Sequence, residues 1–158
     1  MSKKTVIRAA VVLLFSVILI TLLNRDLWDV NERALKKEIT SIEENVETIN
    51  LAEVTTFEWD VVYSFEPYTP KELIYETVGY EWDRISETVS EGMEQIVFLK
   101  DGKVVCYLFG YPENNGYGID FSGQTVNDVA KMLKADEDLT FQVTRSNDIV
   151  FLRGKLSI

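Results

Sequence analysis

The sequence has no histidine and only one cysteine, Cys106, among its 158 residues. Histidine is the commonest general base and the commonest zinc ligand, so neither a Ser-His-Asp nor a Cys-His arrangement can form. One cysteine also excludes an intrachain disulfide and a cysteine-cluster metal site. No stretch has the glycine spacing of a phosphate-binding loop. We therefore expect no cofactor and no metal site.

Basic residues are few and unevenly placed. The chain has 16 of them against 26 acidic residues, and Lys3, Lys4 and Arg8 lie in or before an N-terminal hydrophobic stretch. The other 13 leave the rest of the chain with a net charge of −13. A surface this acidic repels phosphate backbones and anionic lipid. We expect no nucleic-acid partner and no domain that lies flat on a bilayer.

The N-terminal stretch is long enough to cross a membrane. Residues 9–23 carry no charge, and residues 5–23 together would form a helix of about 28 Å, close to the ~30 Å hydrocarbon core. Arg8 at one end can reach the headgroups, and Trp28 follows the other end, where an interfacial aromatic is expected. Residues 1–24 are therefore predicted to be a cytoplasmic tip and a transmembrane helix.

A cleaved signal peptide is the alternative for the same segment, because its charged and apolar regions would look similar. Residues 20–24 lack the small-x-small pattern of a cleavage site, and no cysteine follows the apolar run to carry a lipid. We favour an uncleaved signal anchor in the cell membrane. The positive residues before it place the N-terminus in the cytoplasm and the C-terminal domain outside.

Residues 25–52 show the spacing of an amphipathic helix. Their apolar positions recur every three or four residues, at Leu35, Ile39, Ile42, Val46 and Ile49. One interpretation is a helix that packs on its own domain. The other is a short coiled-coil stalk that forms a homodimer, although the repeat is too short to be strong evidence.

Residues 53–158 are predicted to form an extracytoplasmic α+β domain. Aromatic residues alternate with polar ones over 57–65, which is typical of a half-buried strand. Thr69 and Pro70 then resemble the start of a helix that ends near Val78, with Gly79 as its C-terminal cap.

The second half of this domain contains two predicted hairpins and one predicted helix. Asp101-Gly102 indicates a type I′ turn between two apolar strands, and a turn at residues 146–148 separates the last two strands. Residues 125–133 look like a helix between the hairpins. The sum is a mostly antiparallel sheet of about five strands with helices on one face, preceded by the anchor and the amphipathic helix.

Few side chains suggest catalysis. Glu58 and Asp60 share one face of the predicted strand, and their spacing is compatible with the paired carboxylates of a glycosidase. Acids at this spacing are also common on solvated strand faces. Either could instead accept hydrogen bonds from the turn at residues 67–69 and fix the corner between strand and helix. Cys106 lies inside an apolar strand, where a buried, inert thiol is expected.

One segment resembles a known group of proteins. Residues 57–69 read Phe-Glu-Trp-Asp-Val-Val-Tyr-Ser-Phe-Glu-Pro-Tyr-Thr. They resemble a W-D-x-x-Y-x-F-x-P-Y-T core of small, uncharacterised membrane-anchored or lipoprotein-like proteins of Gram-positive bacteria. Gly79 and Trp82 match the helix end and the tryptophan that follow this core. The hairpin at 97–105 and the later Asp-Phe-Ser at 120–122 also look similar, so the resemblance covers roughly residues 55–125. It implies location and domain extent but no activity, and this chain lacks the lipid-attachment cysteine of the lipoprotein-like members.

These observations give one leading hypothesis and two alternatives. The leading one is a non-enzymatic, membrane-tethered domain that binds an envelope protein or polymer. The candidate binding residues are the aromatic and polar ones at the strand-to-helix corner: Trp59, Asp60, Tyr63, Pro67, Tyr68 and Trp82. The first alternative is a carboxylate-based hydrolase acting on cell-envelope sugars through Glu58 and Asp60. The second is a structural dimer formed through the 28–50 helix.

Overall fold

The computed structural model of the chain describes residues 13, 14 and 26–154. Within these residues no helix is long and apolar enough to cross a membrane. The anchor predicted at residues 5–23 lies outside the described residues, apart from Leu13 and Leu14. The anchor and the location that depends on it therefore stay predictions.

Residues 26–154 contain both helices and strands, in an interleaved order. The helices are α1 (Leu27–Thr40), α2 (Leu51–Val54), α3 (Lys71–Val78) and α4 (Pro112–Asn115). The strands are β1 (Thr48–Asn50), β2 (Val61–Phe65), β3 (Glu94–Lys100), β4 (Lys103–Gly110), β5 (Tyr117–Asp120), β6 (Gln124–Val126), β7 (Ala130–Lys134), β8 (Thr140–Ser146) and β9 (Ile149–Gly154).

The strands form two sheets rather than the single sheet that the sequence suggested. One has the order β1-β8-β9-β5 and the other the order β4-β3-β2-β7-β6. Strands β5 and β9 pair in parallel, and all the other pairs are antiparallel. The α+β class and the mostly antiparallel pairing are thus confirmed, but the prediction of about five strands missed the second sheet.

The five-stranded sheet is apolar on both faces, which explains why it is covered on both. Ile96 and Phe98 of β3 belong to a cluster that includes residues of α1 and of the four-stranded sheet. Val97 and Leu99, the alternate residues of the same strand, belong to a second cluster with α3 and the segment at 79–93. Because successive side chains of a strand point to opposite faces, a continuous apolar run needs two covering layers.

Helix α1 packs on the domain, as the first interpretation of its stripe proposed. Leu35 and Ile39 are fully buried in the first cluster, and Asn31 Nδ2 donates to the carbonyl oxygen of Val105 at 2.8 Å. The helix is shorter than predicted and ends at Thr40. The later apolar positions of the stripe still pack on the core, but β1 pairs with β8, so sheet pairing overrides the helical spacing there.

Two other predictions need correction. The strand predicted over residues 57–65 begins only at Val61, and the chain bends at Asp60, so Trp59 enters the first cluster while Phe65 enters the second. The helix predicted over residues 125–133 is wrong, because this segment is the β6–β7 hairpin. Asn127 and Asp128 have φ angles of 50° and 57° at its turn. Asn and Asp tolerate this left-handed region, which a type I′ turn requires at both central residues and which a right-handed helix excludes.

The predicted hairpins and the predicted end of helix α3 agree with the structure. Positive φ angles at Asp101 and Gly102 confirm the first hairpin turn, and β8 and β9 confirm the second hairpin. Helix α3 ends before Gly79, whose φ of 95° suits glycine. Its start differs, because the Thr69 hydroxyl donates to the Glu66 carbonyl oxygen at 2.6 Å rather than capping the helix.

Candidate functional site

A cleft of about 360 Å³ lies where helix α1, strand β4, helix α4 and the 79–93 segment meet. We call it the aromatic pocket. Three of its lining residues are aromatic, namely Trp28, Tyr107 and Phe109. The other four are polar, namely Glu32, Arg84, Ser86 and Asn115. Its volume lies at the lower end of the range for small-ligand pockets. No single element contributes more than two of these residues, so the pocket exists only in the folded chain.

The aromatic wall is built by rings that support one another. Trp82 contacts Trp28 and Tyr107 edge to face, with ring centroids 5.5 and 5.3 Å apart. Phe109 stacks on Tyr107 at 5.9 Å. Edge-to-face and stacked pairs at these distances stabilise a fixed ring arrangement. The four rings therefore pack against one another as one cluster.

Hydrogen bonds to the Tyr107 hydroxyl also hold the Tyr107 ring in place. Gln95, which is fully buried, donates from Nε2 to the Tyr107 hydroxyl oxygen at 2.9 Å and to the Ser86 carbonyl oxygen at 2.6 Å. The Ser86 backbone N–H donates to the same hydroxyl at 3.2 Å. Burial raises the pKa of Tyr107, so this hydroxyl stays protonated. These bonds connect the 79–93 segment to β3 and β4 and shape the pocket.

Two buried hydrogen-bond donors of the pocket have no partner among the described residues. They are Nε1 of Trp28 and Nδ2 of Asn115. A buried donor left unpaired costs about 1–3 kcal/mol, so such atoms are uncommon in folded proteins. Both residues line the same cleft, but the two nitrogen atoms themselves are buried beneath its surface. The two unpaired donors are therefore a cost of the packing around the pocket, and a molecule in the cleft could not reach them.

The pocket also carries an acceptor, Glu32. The Tyr117 hydroxyl donates to Glu32 Oε1 at 3.3 Å. Burial raises the pKa of Glu32, although this bond and the nearby Lys36 oppose the shift. Arg84 forms an ion pair with Asp26 at 3.2 Å, with both side chains about half exposed. The pocket therefore combines one carboxyl acceptor with neutral and cationic donors around an apolar wall.

A second cleft, of about 420 Å³, lies at the edge where β2 and β7 approach β5. We call it the acidic cleft, because four of its lining residues are acids: Glu66, Glu91, Glu94 and Asp120. Glu94 Oε2 accepts a hydrogen bond from the Ile119 backbone N–H at 3.1 Å. Burial nevertheless raises the pKa of Glu94 to about 7, and the charges of Asp120 and Glu113 act in the same direction. No three acidic or cysteine side chains of residues 26–154 come together to hold a metal ion.

The structure separates the residues predicted to form a recognition cluster. Trp59 is buried, and its Nε1 donates to Thr55 Oγ1 at 3.0 Å. Asp60 accepts from Lys100 Nζ at 2.8 Å and from the Asp101 backbone N–H at 2.7 Å. These contacts lower the pKa of Asp60 and place it at the β3–β4 turn, not at the turn at 67–69 as predicted.

The other four predicted residues lie in different places. Tyr63 is half-buried and contacts Phe65, with 6.1 Å between ring centroids. Pro67 lines the acidic cleft, and Tyr68 is exposed over 57% of its surface. Trp82 does not line the aromatic pocket, but it contacts two rings that do, those of Trp28 and Tyr107.

Several pocket residues escaped sequence analysis. Trp28 was considered only as an interfacial aromatic, a prediction that stays untested, and its ring contacts with Trp82 and Tyr107 were not foreseen. Asn115 belongs to a segment that reads only as a polar loop, and Glu94 lies two positions before the apolar run that predicts β3. No spacing in the sequence connects these positions, because the distances along the chain are large and only the sheet pairing brings them together. Comparison of the chain with protein-family models, with curated protein sequences and with solved structures gives no match.

Proposed function

We propose that this protein is a membrane-tethered, extracytoplasmic binding domain without catalytic activity, which holds an envelope component in the aromatic pocket. The observation that supports this most is the aromatic pocket itself, in which the polar side chains of Glu32, Arg84 and Ser86 lie beside a wall of aromatic rings. A cleft that combines an apolar wall with a few polar groups is typical of a binding site.

The proposed tether is the hydrophobic stretch at residues 5–23, which lies only a few residues before the helix that lines the pocket. Helix α1 begins at Leu27, four residues after that stretch ends, and contributes Trp28 and Glu32 to the pocket. A ligand in the pocket would therefore be held close to the outer surface of the membrane. An envelope polymer or a membrane protein is available at that position, whereas a cytoplasmic metabolite is not.

A capture experiment tests this function. The full-length chain, solubilised in detergent and immobilised, should retain a specific component of solubilised membranes or isolated envelope. A double variant, Glu32→Gln with Arg84→Ala, should lose it, because both charged side chains of the pocket are removed. The matched control is Glu44→Gln with Lys37→Ala, because both residues are exposed and neither lines the pocket. Equal retention by all three proteins would contradict binding in the pocket.

A carboxylate-based hydrolase is the second candidate, and Glu94 is the observation that favours it. A carboxyl whose pKa is raised to about 7 can serve as a general acid, while a second carboxylate in the same cleft, such as Asp120, serves as base or nucleophile. Glu58 and Asp60 fit this role less well, because both oxygens of Asp60 are engaged by the hairpin turn.

Turnover of wall polysaccharide would distinguish the two candidates. If the protein is a hydrolase, release of reducing sugar should disappear in Glu94→Gln and persist in Glu91→Gln, an exposed acid of the same cleft. If neither the unchanged protein nor the variants release sugar above background, this candidate is wrong.

A further inference from the structure

We infer that the start of helix α1 contacts the outer leaflet of the membrane through Leu27 and Val30, so that the domain rests on lipid at this end. The contact rests on the tether of the proposed function and goes beyond it, because a tether alone does not fix how the domain sits. Only one face of the first turns of α1 takes part. The rest of the acidic domain stays away from the bilayer.

Leu27 and Val30 are exposed on the side of α1 that faces away from the domain. Leu27 is exposed over 60% of its surface and Val30 over 40%. They are three residues apart in a helix and therefore lie on the same face. Leu35 and Ile39, on the opposite face, are fully buried in the core. A surface helix normally carries polar residues on its outer face, so this apolar pair departs from the usual pattern.

The outer face of α1 changes from apolar to basic along the helix. Arg33 and Lys37 continue this face toward the C-terminal end, and both are exposed. The helix has 14 residues and is about 21 Å long, so its two ends lie at different heights above any surface that one end contacts. The apolar pair occupies only the end nearest the hydrophobic stretch. This order suits a helix with one end in lipid headgroups and the other in water.

The chain cannot carry the apolar pair far from the tether. The hydrophobic stretch ends at residue 23, and residues 24–26 connect it to Leu27. From residue 23 to Leu27 the chain spans at most about 14 Å, even when it is fully extended. The headgroup layer on each side of the hydrocarbon core is about 5–8 Å thick. When residues 5–23 cross the core, Leu27 therefore lies within or close to the headgroup layer.

The acidic side chains at this end of α1 are paired with arginines. Asp26 pairs with Arg84 at 3.2 Å, and Asp29 pairs with Arg33 one turn later. The excess of acids in the chain beyond the hydrophobic stretch repels anionic lipid. Ion pairing reduces that repulsion beside Leu27 and Val30. An apolar contact with lipid at this place is therefore compatible with the charge of the domain.

Single cysteines that carry a small fluorescent probe test the contact. The full-length chain is placed, one copy per disc, in phosphatidylcholine nanodiscs, and the native Cys106 stays because it is buried. The test positions are Leu27→Cys and Val30→Cys. Asp83→Cys is the first control, because Asp83 is exposed and neighbours Arg84, which pairs with Asp26 at the same end of α1. Glu44→Cys is the second control, since residue 44 is exposed and follows the far end of the helix.

The probes at positions 27 and 30 should be quenched by lipids that carry a nitroxide near the headgroup and protected from acrylamide, a neutral quencher in water. The probes at positions 83 and 44 should show the reverse, which also controls for affinity of the probe itself for lipid. Quenching by the nitroxide lipid should persist between about 0.05 and 0.5 M salt, over which the Debye length falls about threefold, because the contact is apolar.

A substitution connects the quenching to the apolar face. Val30→Ser should shift the balance between docked and undocked domain about fivefold, as expected when a valine side chain loses partial burial. The shift is measured as weaker nitroxide quenching of the probe at position 27. Lys37→Ser, an exposed change at the far end of the same helix, should leave that quenching unchanged.

Four results would overturn the contact. Equal nitroxide quenching at positions 27, 30 and 83 would show mere nearness to the tether, and acrylamide quenching at 27 and 30 would show that the pair faces water. Protection without nitroxide quenching would show that protein covers the pair, and loss of quenching at high salt would show an electrostatic contact. In all four cases the chain remains in the disc, so the proposed tether stands. A chain that leaves the disc without detergent would contradict both the tether and the contact.

Discussion

Glu94 should make the folded domain less stable as the pH rises through the neutral range. Burial raises the pKa of its carboxyl from 4.5 to about 7, more than the hydrogen bond from Ile119 lowers it. The unfolded chain loses this proton near the ordinary pKa, whereas the folded chain keeps it until about pH 7. Between these values the folded state binds more protons, so the free energy of unfolding falls as the pH rises. The contribution is complete below the unfolded pKa and is lost on passing the folded pKa.

The size of the effect follows from the shift. A change from 4.5 to about 7 corresponds to about 3 kcal/mol, at 1.36 kcal/mol for each pH unit. Glu94→Gln keeps the size and an oxygen that can accept from Ile119 but removes the titration. The variant should therefore resemble the unchanged protein near pH 5 and exceed its free energy of unfolding by about 3 kcal/mol near pH 8.

Urea unfolding of residues 26–158, followed by tryptophan fluorescence, measures this difference between about pH 5 and pH 8. Taking the difference between the two proteins cancels the other titrating groups. Glu91→Gln is the control, because it removes the same charge from an exposed position of the acidic cleft. A difference that stays constant within about 0.5 kcal/mol, or a control that shows the same trend, would refute the assignment of a raised pKa to Glu94.

Three further changes test the fold. Leu35→Ala should lower the free energy of unfolding by about 2–5 kcal/mol in urea titration, because Leu35 is fully buried on the inner face of α1. A much smaller loss of unfolding free energy would show that this helix does not pack on the domain. Asp60→Asn should lower the melting temperature at neutral pH, because it removes the charge that pairs with Lys100. The difference in melting temperature between the variant and the unchanged protein should shrink at acidic pH, where Asp60 itself becomes protonated. The control Glu58→Gln should have no effect. Gly123→Ala should destabilise the β6–β7 hairpin by about 1–3 kcal/mol, because its Cβ would lie 2.2 Å from the Met132 carbonyl oxygen; an unchanged melting temperature would exclude this close approach.

Local signals in the sequence predicted the parts of the fold that depend on short-range chemistry. Asp101-Gly102 marks a turn because both residues tolerate positive φ angles, and the structure has this turn. Gly79 ends helix α3 for the same reason. Asn127-Asp128 carries a similar signal, but the apolar residues around it also match helical spacing, and choosing that spacing led to a wrong helix.

Pairing between segments far apart in the sequence determined which part of the domain buries each apolar face. The strand face predicted for residues 57–65 is divided between two clusters, because the chain bends at Asp60 to satisfy the β3–β4 turn. The amphipathic stripe of residues 35–49 continues past the end of α1, because Ile42 and Val46 pack on the core from the irregular segment that follows the helix and Ile49 packs there from strand β1. A periodic pattern reports which side chains are buried, but not which partner buries them.

The sequence by itself determined the class of the domain, the excluded chemistries and the position of a hydrophobic stretch, since these depend on composition and on neighbouring residues. Only the tertiary structure decided which side chains line a common cleft. Trp28, Tyr107 and Asn115 are separated by 79 and 8 residues along the chain, yet they line one pocket. Their unpaired donors and fixed rings arise from the packing of α1 and the 79–93 segment against β4. Burial and hydrogen-bond satisfaction are properties of that packing, so no spacing in the sequence could have predicted them.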